Sequence, residues 1–301
     1  MVPMKKLLIS MAAILIVVML VFPASTSARP DMDKPLPASN VEIIKKITVK
    51  GPKAPAAKPS KSAATGTLGT PCNGEKYSIV IGISDYPGSS NDLEYADDDA
   101  ALTRDVLEQI YGFKQENIYL ITNSDATFNK IKETIAVIKG KASSNDEVVF
   151  FFSGHGAKGQ ADDGDAEKID EAIVSHDNNN LVFIWDGQLK EWFSGFPTSR
   201  IVFIFDSCMA GGMDDLAANG RVISMACSET GVSYEGDAWG GHGQFTYYFI
   251  EQGMSEGLAD KYDNILDQAD VTVEEAFDYA RLNCQWQSPV ISDSFLNDLL
   301  P

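Results

Sequence analysis

Two short stretches of the chain carry the residue types needed for covalent catalysis. SGHG at 153–156 supplies His155, and DSCMAG at 206–211 supplies Cys208, 53 residues further on. A thiolate that attacks a carbonyl and an imidazole that manages protons are the two parts of nucleophilic acyl transfer. Glycine beside His155 lets the backbone come close to a substrate, and the amides of Gly156 and Cys208 suit an oxyanion hole. Each stretch follows an apolar run of buried-strand length, EVVFFF (147–152) and RIVFIF (200–205). A single histidine or cysteine is ordinarily a satisfied polar contact or a buried thiol. What sets these two apart is a shared address at the carboxyl ends of two strands, where open α/β sheets bind ligands.

The elements that must position them are legible from about residue 77. YSIVIGI (77–83), NIYLIT (117–122) and RVISMA (221–226) read as further strands. Helical spacing predicts helices over 97–111, 128–138 with Thr127 as cap, 186–193 and 245–250. A capping box of Thr272 and Glu275 opens a last helix that runs through Arg281. Strands alternating with helices imply an α/β domain, a mostly parallel central sheet with helices on both faces.

The rest of the chain bounds the possibilities. Residues 1–71 hold ten Lys or Arg against three Asp or Glu, and residues 72–301 hold fourteen against forty. So acidic a body repels phosphate backbones, which excludes nucleic acid as a natural partner and favours cations or basic peptides. Residues 1–28 read as an export signal: Lys5 and Lys6, an apolar run over 7–22, then small residues at Thr26, Ser27 and Ala28. The segment is either cleaved or kept as an anchor, and the remainder is expected outside the cytoplasm, touching membrane only through it. Residues 29–71, rich in Pro, Ala, Ser and Lys, form a linker or pro-segment; within them 41–49 has the apolar content for a short strand or helix. The folded body is expected over 72–301. Cys72 and Cys284, flanking that body, are expected to pair as a disulfide, with Cys227 a buried thiol.

FFFSGHGA (150–157) and IFDSCMAGG (204–212) resemble the His and Cys motifs of the metacaspase and caspase-like cysteine peptidases. LEYADDDA (93–100), the strand entry at Ile169 and Asp170, and SMACSETGVSYEG followed by HGQFTYYFIE resemble further family segments, over about 75–285. Caspases proper have Gln-Ala before the cysteine; this chain has Asp206-Ser207 and leans toward metacaspases. The resemblance implies a caspase-like fold and a first-site pocket formed by Asp99 and Asp206, with Ser153 beside them, which selects Lys or Arg. The alternative for Asp97 to Asp99 is a favourable place at a helix N-terminus, which accounts for Asp97 and Asp98 and leaves Asp99 open. The family's calcium positions fall on Asp170, on Asp186 and near Asp214 or Asp215, although Gly187 stands where a further Asp is expected. The acidic run 162–165 is a second source of ligands or a solvated loop. No cofactor is required on this reading, and Ca2+ is an optional one. The stretch 260–270 lacks the glycine an EF-hand needs.

The expected function is an endopeptidase acting after Lys or Arg on protein or peptide substrates. The rivals are a catalytically inactive caspase-like binding module and a peptidase with another first-site preference. The basic tail of such an enzyme is expected either to occupy its own acidic pocket and be cut after Lys45, Lys46 or Lys53, rather than Lys58, which precedes Pro59, or to be a simple spacer that lifts the domain off the membrane.

Overall fold

The computed structural model describes residues 30–49, 61–164, 167–261 and 270–301. The segment expected to direct export, Lys50, Lys53, Lys58, Asp165 and most of 260–270 lie outside them. Along the chain come β1 (Ala38–Ile44), β2 (Ile47–Thr48), β3 (Lys76–Gly82), α1 (Ala96–Gln109), β4 (Ile118–Thr122), α2 (Phe128–Lys141) and β5 (Glu147–Ser153). Next are β6 (Gly156–Ala161), β7 (Asp170–His176), β8 (Leu181–Trp185), α3 (Asp186–Trp192), β9 (Ile201–Asp206) and β10 (Arg221–Met225). The last are β11 (Tyr234–Gly236), β12 (His242–Gly243), α4 (Gln244–Thr246), α5 (Val273–Asn283) and β13 (Val290–Asp293). A π-helical stretch, Tyr247–Ser255, continues α4.

Strands β4, β3, β5, β9 and β10 lie side by side and parallel, with β13 added antiparallel at one edge. Their apolar runs are continuous because both faces are covered. On β3, Ile79 and Ile81 join the core under α2 and α3, whereas Val80 joins the core under α1 and α5. Helix ends follow local rules: the Thr127 side chain accepts from the Lys130 N–H, and Thr272 with Glu275 forms the capping box.

Two smaller sheets bear on the site. An antiparallel sheet in the order β1-β6-β7-β8 stands beside the main one, and a three-stranded sheet has the order β12-β11-β2. Both recruit the tail. Ile43 and Ile44 sit opposite Ala157 and Gly156 on β6, and Ile47 and Thr48 sit opposite Tyr234 and Glu235 on β11. Further upstream, the Met32 carbonyl accepts from Gln188 and Trp192. Residues 30–49 are therefore part of the packed structure.

The Cys72–Cys284 disulfide is not formed, and all four cysteines are free thiols. Cys72 lies where the sheet begins, 3.5 Å from the Asn145 carbonyl, while Cys284 ends α5 against the Gln244 carbonyl, beyond the strands' carboxyl edge. Flanking the domain in sequence puts them at opposite ends of the sheet. Cys227 is buried, its thiol on the Ser207 carbonyl.

Candidate active site

In the main sheet Ser153 and Asp206, the last residues of β5 and β9, are paired in register. His155 and Cys208 each lie two residues beyond that pair, so the parallel ladder delivers both to one edge. Cys208 leaves β9 on a sharp turn, with Met209 in the left-handed region at φ 57°, uncommon for a side chain of that size. Gly156 packs against this turn so closely that a Cβ would fall 1.9 Å from the Cys208 carbonyl oxygen. Only glycine fits there.

The histidine is held from three directions. Its ring stacks on Tyr86 with centroids 4.9 Å apart, its backbone N–H donates to the Tyr86 hydroxyl, and Nε2 lies 2.7 Å from the Asn91 carbonyl oxygen. A carbonyl can only accept, so Nε2 carries the proton and Nδ1 is the basic atom. That lone pair accepts from the Lys46 N–H at 3.2 Å. Burial, with Lys45 and Lys46 nearby, brings the imidazole down to about 4. The Cys208 sulfur accepts from Ser233 N–H at 3.2 Å, and burial pushes its thiol up to about 11. The resting pair is thus neutral imidazole and neutral thiol.

Beside it lies a closed pocket built from Asp99 on α1, Ser153 and Asp206. Of the acidic run, Asp97 bonds Ser84 and Asn123, whereas Asp99 turns inward and is buried. Asp99 accepts from the Ser153 hydroxyl at 2.6 Å and from Gly243 N–H at 3.0 Å. Asp206 accepts from the Ser233 hydroxyl at 2.6 Å and from Thr246 N–H and hydroxyl at 3.0 and 2.7 Å. The pocket holds the Lys46 ammonium, 3.0 Å from Asp206, 3.4 Å from Asp99 and 3.0 Å from Ser153 Oγ. Burial disfavours that charge, but Asp206, Asp99 and Glu235 outweigh it and raise the lysine above its ordinary value. Burial likewise works against the Asp99 carboxylate, and Lys46 and His242 overcome it, holding Asp99 below the usual range.

Several contributors escaped sequence reasoning. His242 Nδ1 sits 3.1 Å from Asp99, and Gly243 forms the pocket floor: a Cβ there would fall 2.2 Å from Asp206 Oδ2 and 2.6 Å from Lys46 Nζ. Tyr86, Asn91, Ser233 and Thr246 carry no spacing signal, although His242, Gly243 and Thr246 lie within the HGQFT stretch that resembles the family.

The acidic positions separate into two groups. Asp186 is buried and shares a cluster with Glu167 and Glu171, whose carboxylate oxygens lie within 4.8 Å of one another. Asp170 is buried and accepts from Ala161 N–H at 2.7 Å, Asp214 is exposed, and Asp215 faces Lys190 at 3.6 Å. Glu171, absent from the sequence-derived set, is the more telling member of the cluster. Its Oε2 is buried without a hydrogen bond among the described residues, and burial plus Glu229, Glu167, Asp170 and Asp214 pushes the carboxyl up to about 8. Hard oxygen donors gathered against their own repulsion fit a divalent cation such as calcium.

The parallel sheet with a Cys and a His at its carboxyl edge defines a caspase-like α/β domain. The caspase domain profile matches residues 75–300, and the chain belongs to that family. Over 154 residues it is 30% identical to metacaspase-1 of Schizosaccharomyces pombe, covering 48% of this chain and 36% of that protein. Over 150 residues it is 32% identical to metacaspase-4 of Arabidopsis thaliana, covering 47% and 35%. The matched stretch spans about a third of those relatives. The crystal structure of protein GSU0716 from Geobacter sulfurreducens superposes with a TM-score of 0.55 at 15% identity, over 73% of this chain and 93% of that one, and supports the fold.

Proposed function

We propose that the protein is a cysteine endopeptidase that hydrolyses peptide bonds after Lys or Arg. The observation that carries the specificity is the pocket itself: two buried carboxylates and a serine hydroxyl around one ammonium. An acidic or neutral side chain there would leave both carboxylates uncompensated, at a cost of several kcal/mol. In the reaction, the Cys208 sulfur bonds to the substrate carbonyl carbon as its proton passes to His155. The carbonyl oxygen becomes an oxyanion held by the Gly156 and Cys208 amides. Collapse breaks the C–N bond, the amine leaves with the proton from His155, and water then hydrolyses the thioester. Asn91 and Tyr86 hold the imidazole in the required tautomer and plane.

Calcium stimulation belongs to the same reading. Glu171 and Asp186, with Glu167, would hold the ion, and its charge would relieve the repulsion among them. Gly212, in the turn after Cys208, lies against Glu171 with room for no side chain, so the cluster adjoins the nucleophile's own loop. Export through residues 1–28 is likewise part of the proposal; among the described residues no helix is long and apolar enough to cross a membrane.

The test is a fluorogenic panel with Lys, Arg, Gln, Asn or Asp at the first site, with and without calcium. Turnover restricted to Lys and Arg supports the proposal. Preference for Asn or Asp would overturn the pocket assignment, and a folded protein that turns over nothing once its tail is out of the groove would favour a binding module.

A further inference from the structure

We infer that residues 41–49 are a built-in peptide ligand lying across the catalytic groove backwards, so that Lys46 fills the specificity pocket without offering its own peptide bond for cleavage. This rests on the peptidase reading above and assigns the regulation of that site.

The direction follows from which amide meets the imidazole. For hydrolysis after Lys46 the departing amine is the nitrogen of Ile47, and His155 must reach that atom to protonate it. Instead His155 Nδ1 takes the N–H of Lys46 itself, on the other side of the lysine Cα. The Ile47 N–H donates to the Ser233 carbonyl at 3.1 Å, and the Val49 N–H continues the ladder onto the Glu235 carbonyl at 2.8 Å. Upstream, the chain runs along β6 immediately beyond His155, with Ile44 opposite Gly156. The residues before Lys46 therefore occupy the imidazole side, and the residues after it occupy the β11 side. Acyl transfer needs the reverse.

The same contacts disarm the catalytic pair. With its Nε2 proton committed to Asn91, Nδ1 is the imidazole's basic atom, and the Lys46 amide covers it. Cys208 is buried, with its sulfur turned to Ser233. On both sides of Lys46 the tail is anchored by strand pairing, so it dwells at the high effective concentration of a tethered ligand. The expectation of self-cleavage after Lys46 gives way to a lysine that inhibits because it is held the wrong way round. Lys45 points elsewhere, its ammonium on the Ser90 carbonyl.

The experiment compares the full chain with Lys46→Ala and Lys46→Arg, and supplies a synthetic peptide of residues 40–49 in trans. Three readouts are taken: hydrolysis of Lys fluorogenic peptides, intact mass with N-terminal mapping, and the rate of Cys208 alkylation by iodoacetamide. Alkylation requires no turnover. Lys46→Ala should raise both hydrolysis and Cys208 alkylation by roughly tenfold or more, while Lys46→Arg stays near the parent. The peptide should inhibit Lys46→Ala competitively and be recovered uncut. Cleavage between Lys46 and Ile47, in the chain or in the peptide, would overturn the reversed direction. Cys208 alkylating as fast in the parent as in Lys46→Ala would overturn the occupancy. If alkylation responds as stated and no variant hydrolyses any peptide, the occupancy stands and the peptidase reading fails, so the two are separable.

Discussion

A single methyl group at the pocket floor gives a demanding test. Gly243 has φ −59° and ψ 140°, which alanine adopts without strain, so Gly243→Ala changes space rather than backbone. The new Cβ would fall 2.6 Å from the ammonium nitrogen and 2.2 Å from Asp206 Oδ2. Carbon and nitrogen in contact stand about 3.5 Å apart, so the ammonium must retreat by about 1 Å. Its pairs with Asp206 and Asp99, now 3.0 and 3.4 Å, lengthen accordingly. At an effective dielectric of about 20, that retreat removes roughly 2.5 kcal/mol, or about 70-fold in affinity. The lost bond to Ser153 Oγ makes this a lower bound. The assay is kcat/KM for a Lys peptide, comparing Lys46→Ala with the Lys46→Ala, Gly243→Ala double variant. In the otherwise unaltered chain, Gly243→Ala alone should speed Cys208 alkylation, because the same methyl evicts Lys46. A double variant that keeps Lys hydrolysis within threefold of Lys46→Ala would refute the pocket geometry.

The remaining expectations follow from the same contacts. Cys208→Ala should abolish turnover with its melting temperature unchanged within a few degrees; residual wild-type turnover would place the nucleophile elsewhere. Asp206→Asn in the Lys46→Ala background should cost roughly 100-fold or more on Lys peptides, read as the Lys-to-Gln ratio of kcat/KM, which would stay constant if Asp206 were outside the pocket. Latency should hold between about pH 5 and pH 9. Lys46 is raised, so its contribution is complete below its ordinary 10.5 and fades only as pH climbs through the raised value; Asp99 is lowered, so its contribution is complete above 3.8 and fades as pH falls through the lowered one. Cys208 alkylation rates across pH check this. Millimolar calcium should raise the melting temperature of the parent and leave Glu171→Gln unmoved; equal shifts would remove Glu171 from the site.

The catalytic edge was legible because it depends on local rules. Apolar runs mark β5 and β9, and residues just beyond two adjacent parallel strands must share an edge. The antiparallel sheet was less so: β6 reads GAKGQA and has no apolar alternation, since its glycines serve close packing, Gly159 against Trp185 for instance. In the tail the apolar content of 41–49 marks a short strand or helix, whereas the start at Ala38, the division into strands at 38–44 and 47–48 and their docking on the domain depend on partners far away in sequence. Lys46 is an ordinary lysine until the fold brings Asp99 and Asp206 together, 107 positions apart in sequence. The Cys72–Cys284 pairing failed for a related reason, because proximity to the ends of a domain says nothing about which end of the sheet a thiol occupies. Glu171 escapes the sequence reading because the resemblance marks only Asp170 in that strand entry, and nothing local shows that the next carboxylate is buried.

The pairing of β1 with β6 has a consequence for the opened molecule. Once residues 41–49 leave the groove, β6 loses its outer partner at Gly156, Ala157 and Lys158 and becomes a bare strand edge there, starting one residue from His155. Unpaired N–H and C=O groups there form a template for any extended polypeptide. One such polypeptide is a substrate, whose main chain can add to the sheet on the histidine side while its lysine enters the pocket. Another is a second activated copy. On this inference the strand that covers the chemistry also covers a pairing edge, and freeing the one would expose the other.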